Sequence, residues 1–551
     1  MKVKNLFLGS LACLAFAACS NDDDTVVNPS AEGSEKFVVV SISVPPTRAL
    51  SETDFEEGTA TENTVSNALL VFFDESGNYF QAQQPTLAWG DGATEINPAL
   101  EKTAEAVVVF KNTTDIPRSV VAILNSTLTV GQLDSDKPSL TELKGIDYIA
   151  DYSSESSFVM TSSVYKETDD ASNVICEAII TTDNIAKKAA GDGEPTEAEK
   201  NAATPVQIYV ERVLAKVKVS TEAVGSFSNA GTTVDIKGVD ANGSITTVED
   251  NLTIIPEITG WHLAYTNPKS NLLKKVETGA STTWGYAGEG WTDVQNKRSY
   301  WGISYEPTGG DKWGFSKYSE STKGVHYCLE NTTDLTESTT ATKLVVTAVL
   351  KDGEGNVIGD LVKHNGWYYK EEDFLKLAAQ SLVTAGFKYS IDGGAATSDW
   401  LNYLKTQRYS KSGEEEQWLV EAALKTTVPA SPLVMTITKN DVASDANEVN
   451  EYLQETVGSA QEWQDGKCYY FVNINHINQK NAIIRNHVYD VLISGIVGLG
   501  TPVYDPDTDE DGTPEEEEII PEKPTDDASF VMAQVNILKW RVVAQQSVTL
   551  Q

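Results

Sequence analysis

The residues able to do chemistry are few and poorly grouped. Five histidines, His262, His326, His364, His476 and His487, are scattered with no HxxxH or HExxH spacing, which argues against zinc chemistry. Cys13 and Cys19 fall in the leader. Cys176, Cys328 and Cys468 remain, with no CxxC pair and at most one bridge among them. No GxGxxG, GxxxxGK[ST] or GxSxG is present. One constellation fits a metal rule: Asp507, Asp509, Asp511, Gly512 and Glu518 match the D-x-[DN]-x-[DN]-G-x5-E spacing of a calcium loop. Pro514 interrupts that loop, no helices flank it, and acids and prolines crowd the whole stretch 501–528. A stiff, self-repelling linker is the preferred reading, with no metal and no cofactor assigned. Paired carboxylates cannot be singled out, because 80 acids make pairs everywhere by chance.

Those acids face only 42 basic residues, for a net charge of −38. Nucleic-acid partners are excluded on that balance, since phosphate recognition needs a basic face. At 551 residues, 40% hydrophobic and 22% charged, the chain can bury two or three domain cores.

The first residues are an address. Lys2 and Lys4 precede an apolar run from Leu6 to Ala18, too short to span a bilayer as a mature helix. Phe16-Ala17-Ala18-Cys19 resembles a lipobox, which makes Cys19 the lipidated residue. Residues 1–19 are thus expected to be a lipoprotein signal peptide that tethers a precursor to the outer membrane.

The body reads as an all-β protein with a few short helices. Short β-branched and aromatic runs are broken by Gly, Asn, Asp and Pro. The runs are Phe37–Val44, Val65–Phe73, Ala106–Phe110, Val120–Leu124, Phe158–Met160 and Val174–Ile180. They continue with Val206–Ser220, Leu344–Leu350, Cys468–Ile474 and Val488–Ile496. Asp74-Glu75-Ser76-Gly77-Asn78 reads as a turn. Helical periodicity is confined to Glu371–Val383, with Phe374, Leu377, Ala378 and Leu382 on one face, and a shorter Val449–Leu453. Residues 186–204 read as an insertion or surface helix. A division near residue 225 gives two sandwich domains, 49–225 and 226–500. Trp261, Trp284, Trp291, Trp301 and Trp313 cluster in the second. Core packing is the preferred reading, and a glycan-stacking surface is the alternative.

The two ends are the informative part. After the linker 501–528 the chain resumes with a strand-prone tail, 529–551. Val531, Ala533, Val535 and Ile537 share one phase; Leu538, Trp540, Val542 and Ala544 take the other. The change between Ile537 and Leu538 predicts a bend or bulge. Folding back as an edge strand is the plain reading of such a tail; donation to another chain is the sharper one. At the other end, the Phe37–Val44 strand is followed by Pro45-Pro46-Thr47-Arg48-Ala49, and Arg48 is the first arginine in the chain. Cleavage there would remove residues 20–48, first strand included. A sheet stripped of a strand offers an apolar groove and unpaired backbone groups, and the tail of a neighbouring copy could fill it by strand addition.

Several stretches together resemble the Bacteroidales type V fimbrillins, especially the major subunit of short (minor) fimbriae. They are the signal ending at Cys19, the Arg48-Ala49 site, VERVLAKVKVS at 210–220, ITGWHLAYTNPKS at 258–270 and RSYW at 298–301. YCLENT at 327–332, IIRNHVYDVLISGIVGLG at 483–500 and VNILKW at 535–540 complete the set. The resemblance implies two transthyretin-like β-sandwich domains, lipidation at Cys19 and cleavage between Arg48 and Ala49 by an arginine-specific protease. It also implies polymerisation by donor-strand exchange through Val531–Leu550, with other copies and accessory fimbrial subunits as partners. The expected location is a cell-surface fimbria supporting adhesion and biofilm, with a host or bacterial receptor. Three other roles compete: a tip or anchor component, a stand-alone glycan-binding lipoprotein, and a polysaccharide-degrading enzyme for which only acids and aromatics speak.

Overall fold

The computed structural model describes residues 36–44, 59, 61–62, 64–89, 102–110, 115–149, 158–162, 165–166, 174–187, 195–201, 203–221, 228–275, 302–305, 314–319, 324–333, 340–411, 414–425, 433–476, 480–503 and 530–539. Strands dominate them, with a few short helices, as the β-branched runs lead one to expect.

The strands that matter in the first part are β1 (Lys36–Val44), β2 (Ala68–Phe73), β3 (Tyr79–Gln83), β4 (Lys102–Phe110), β5 (Ser119–Leu124), β6 (Met160–Ser162), β7 (Ile185–Lys187) and β8 (Val206–Arg212). Their order is β3-β2-β5-β6-β8-β1-β4, with β7 paired to the start of β1. β8 serves two partners. Its first half lies parallel to β1, from Val40↔Val206 to Ser43↔Tyr209, and its second half pairs antiparallel with β6. That division bends the strand array around one core, where Val38, Val108, Leu70, Phe72, Val120 and Ile208 meet. β2 and β5 are buried on both faces. Their outer residues, Leu69, Val71 and Ile123 among them, pack with Leu133 of α1 (Val130–Asp136) and Leu143 of α2 (Leu140–Lys144). Leu272, Leu329 and Val488 from later in the chain join the same cluster.

The run over 206–220, whose apolar residues alternate over two stretches around Glu211-Arg212, is two strands that change sheets at Val213. β9 (Leu214–Thr221) follows β8 directly. The second part adds β10 (Thr232–Val239), β11 (Ile245–Ala264), β12 (Val325–Leu329), β13 (Lys343–Lys351), β14 (Leu361–His364), β15 (Trp367–Lys370), β16 (Lys467–Asn473), β17 (His487–Val497) and β18 (Phe530–Lys539). They form a small sheet, β12-β9-β17-β18, and a large one containing β14-β15-β10-β11-β13-β16. Both contribute to one core, which includes Val217, Ile236, Trp261, Val346, Tyr470 and Val491. Trp261 is therefore core; Trp284, Trp291, Trp301 and Trp313 lie outside the described residues.

The expected helix over 371–383 is α3 (Glu371–Thr384), and the shorter one is α4 (Ala446–Thr456). Phe374, Ala378 and Leu382 are buried as the period requires, and Leu375 joins them. The helices frame a further core around the fully buried Trp400, whose Nε1 donates to Phe387 O at 3.3 Å. In the 186–204 stretch the described structure holds the end of β7 and a one-turn helix, Glu197–Lys200. The predicted turn closes the β2–β3 hairpin: Asp74 Oδ1 accepts from Ser76 N at 2.8 Å and Asn78 N at 2.9 Å, and Gly77 supplies φ 76°. The same device recurs at Asp352–Asn356.

Candidate assembly interface: the first and last strands

β1 occupies an inner position, and its burial explains its sequence. It is hydrogen-bonded on both sides, along its full length to β4 and over four residues to β8. Val38 and Val40 face the core shared with Val108 and Ile208. Phe37 and Val39 face the other way and pack with Ala203, Val107, Val109 and Ala186. A strand buried on both faces and paired on both edges leaves a deep apolar slot when it is withdrawn.

The tail is a strand, as predicted, over Phe530–Lys539, and it lies at the edge of the small sheet. It runs antiparallel to β17 with Val531 opposite Ile496, Ala533 opposite Ile493, Val535 opposite Val491, Ile537 opposite Tyr489 and Leu538 opposite Val488. The plain reading of the tail, an edge strand folded back, describes its place within this chain. The expected bend at Ile537–Leu538 is absent, because both residues pair in register. The irregularity sits opposite Met532–Ala533, where β17 bulges at Ser494. Ser494 O accepts from Ser228 N at 2.8 Å, so a third segment holds the bulge. A change of hydrophobic phase records which face is apolar; it does not by itself break a ladder. β1 and β18 belong to different sheets, so the structure does not bring the two ends together. Cys19, Arg48, Ala49, Trp540, Val542 and the Asp507–Glu518 motif lie outside the described residues.

Placed side by side, the end strands are alike on both faces. Phe37-Val38-Val39-Val40-Ser41-Ile42-Ser43-Val44 and Phe530-Val531-Met532-Ala533-Gln534-Val535-Asn536-Ile537 share an opening Phe and one wholly apolar phase. In the other phase both turn polar at the same point, Ser41 and Ser43 against Gln534 and Asn536. Neither sequence carries a charge at any of these eight positions.

Buried ion pairs gather where the chain crosses between sheets. Glu62 is 1% exposed. Its Oε1 meets Lys216 Nζ of β9 at 2.9 Å and accepts from Tyr327 OH of β12 at 2.6 Å. Its Oε2 accepts from Thr59 N at 2.6 Å, and its carbonyl from Arg212 Nε of β8 at 3.2 Å. Lys274 and Glu211 pair at 2.9 Å nearby. Arg485, fully buried, meets Glu330 at 2.6 Å and donates to Ser270 Oγ and to the carbonyls of Asn271 and Leu272. Sequence reasoning missed these residues. A lone arginine inside the apolar run IIRNHVYDVLI is the one signal that marked any of them.

Burial alone would raise the Glu62 carboxyl; hydrogen bonds from Lys216, Tyr327 and Thr59, with the Lys216 charge, outweigh it and hold the group below its ordinary value. The stability this adds is complete above the ordinary carboxylate value and drains away as pH falls through the lowered one. Glu62→Gln should therefore lower Tm most near neutrality, and thermal scans between pH 7 and pH 3 should show the gap to wild type narrowing with acid. A constant gap would mean that Glu62 acts by packing alone.

Among the described residues no group of His, Cys, Asp or Glu is arranged to hold a metal ion, and no helix is long and apolar enough to cross a membrane. Cys176, Cys328 and Cys468 are buried free thiols. Burial pushes Cys176 and Cys328 up to about 12 and Cys468 higher still.

The family described as major fimbrial subunit protein (FimA) matches residues 38–210. None of the curated proteins matches the chain. Among solved structures, a fimbrilin (FimA) from Porphyromonas gingivalis W83 is 13% identical, covers 92% of this chain and 98% of its own, and has a TM-score of 0.36. The tip fimbrial protein Mfa3 from Porphyromonas gingivalis is 9% identical over 92% of this chain and 100% of its own, with a TM-score of 0.31. A fimbrial assembly protein from Parabacteroides distasonis ATCC 8503 is 11% identical over 58% and 86%, with a TM-score of 0.28.

Proposed function

Through residues 38–210 the chain belongs to the major fimbrial subunit protein (FimA) family, and from that premise we propose that it is a shaft subunit polymerised by strand exchange. Its role is structural and non-enzymatic, in a cell-surface fimbria assembled with other fimbrial subunits. In the finer reading the precursor is exported as an outer-membrane lipoprotein through Cys19, and an arginine-specific protease cuts between Arg48 and Ala49. The lipid and β1 leave together. The tail of the next copy, from Val531 onward, then enters the slot between β8 and β4. The bodies on either side of the crossing at Val213 act as two transthyretin-like sandwiches, and the linker over 501–528, whose Thr501 and Pro502 pair with Tyr469 and Cys468, lets the tail reach. Adhesion to a host or bacterial receptor follows from display on such a filament.

The observation that carries this reading is the shared two-faced pattern of residues 37–44 and 530–537. The test is the mature N-terminus. Protein recovered from the cell surface should begin at Ala49. One specific observation favours a second reading: β18 already has a place on its own sheet, as it would in a stand-alone surface lipoprotein that donates nothing. Such a protein keeps β1, so a surface protein beginning at a lipidated Cys19 overturns the shaft assignment.

A further inference from the structure

Two buried lysine–glutamate pairs flank the crossing at Val213, and their surroundings differ. Glu62 has both carboxyl oxygens engaged, Oε1 by Lys216 and Tyr327 and Oε2 by Thr59 N, and it is held below its ordinary value. Such a carboxyl stays an anion and makes a poor acyl group. The second pair joins different parts of the chain. Glu211 lies on β8 opposite Thr161 of β6, and Thr161 Oγ1 donates to the carbonyl of Leu272 at 3.2 Å, two residues before Lys274. Lys274 Nζ and Glu211 Oε2 are 2.9 Å apart, with side chains only 1% and 7% exposed.

A third charged group stands beside this pair. A Cβ placed on Gly302 would lie 2.9 Å from Glu330 Oε2 and 3.1 Å from Lys274 Cγ, so the carboxyl and the lysine stem border one gap. Glu330 is fully buried. Its Oε1 accepts from Arg485 and Ser270, while Oε2 meets no hydrogen-bond donor among the described residues. A buried acceptor left in that state is costly, and a chemical role is one reason for a fold to keep it.

We propose that Lys274 and Glu211 condense to an amide, a covalent staple across the joint between the two parts, with Glu330 carrying the protons. The Lys274 ammonium passes one proton to the Glu211 carboxylate across their contact. The neutral amine then attacks the Glu211 Cδ, and its second proton goes to Glu330 Oε2. Glu330 returns that proton to the departing hydroxyl, one water leaves, and Nζ keeps its last hydrogen in the amide. Two charges held away from water are expensive, and condensation removes both. Groups fixed at contact distance react with effective molarities of about 10⁵–10⁸ M. The staple needs no strand exchange and stands or falls separately from it.

The experiment denatures the folded full chain, digests it with trypsin and weighs the peptides. Wild-type protein should give peptide 201–212 joined to peptide 270–275, one water lighter than their sum. K274R keeps the charge but offers no amine, and should give the two stretches separately. Joining, timed after refolding, should slow by about a hundred-fold or more in E330Q. It should slow likewise in G302A, which keeps the Arg485–Glu330 pair and sets a methyl between Glu330 and Lys274. Separate peptides alone in wild-type protein overturn the staple, and a join that persists in K274R overturns its assignment to Lys274. Unchanged rates in E330Q or G302A, or a join between Glu62 and Lys216, overturn the part given to Glu330.

Discussion

A chain ending at residue 528 should be exported, cut and folded, yet run only as a monomer. β18 sits at the edge of its sheet with β17 as its one neighbour in the sheet order, and β17 keeps β9 on its other side. Removing the tail therefore exposes one edge and disturbs no inner strand. On the proposed reading, what is lost is the filler for the slot. If four or five apolar residues of the tail are buried there, the gross gain is about 1.5–3 kcal/mol for each, before the cost of ordering the tail is subtracted. No other exposed contact need be invoked to hold copies together. Wild-type protein should give a ladder of oligomers in mild detergent without boiling, and the truncated chain a single band with unchanged circular dichroism. A ladder that survives truncation would take the tail out of the mechanism.

The second large effect is a change of cross-linking partner. In the monomer Val535 lies opposite Val491. Aligned on the shared pattern, Val535 takes the position of Ile42, which lies opposite Ala104. Paired Cα atoms across antiparallel strands lie about 4.5–5.5 Å apart, within the reach of a disulfide. A V491C/V535C chain should therefore close an internal bridge when oxidised, stay monomeric, and assemble when reductant is added. An A104C/V535C chain should instead give covalent multimers, visible on a non-reducing gel only after assembly. The buried native thiols, Cys176, Cys328 and Cys468, are poor competitors, because burial keeps them protonated. Oxidised V491C/V535C protein that assembles as fast as the reduced form would show that the tail never has to leave β17.

Much of the strand and helix content was legible because it is local. A strand declares itself by β-branched runs and a helix by its period, and Phe37–Val44, Val120–Leu124 and Glu371–Val383 were read on those grounds. Partnership is not local. Nothing in residues 36–44 says that they lie between β8 and β4, and nothing in VERVLAKVKVS says that the chain changes sheets at Val213, beside Glu211 and Arg212. The buried Glu62 cluster was invisible for the same reason: Glu62, Lys216 and Tyr327 come from three distant segments and meet only in the folded chain. The tail shows the limit most clearly. Its alternation gave the strand, while its place opposite β17 came from the partner's shape, bulge included.

The direct passage from β8 into β9 has a mechanical consequence. A filler strand taking the place of β1 beside β8 would lie lengthwise to it, as β1 does, and β17, which leads toward the tail, lies lengthwise to β9. Tension along a fibre built this way drags each strand along its neighbour instead of peeling it away. All the rungs of a ladder then bear load together, because backbone bonds run across the strands. Between the two ladders the chain passes through Val213 with no loop to stretch, and the Glu62–Lys216 and Glu211–Lys274 pairs brace the crossing, so each subunit would behave as a taut cord.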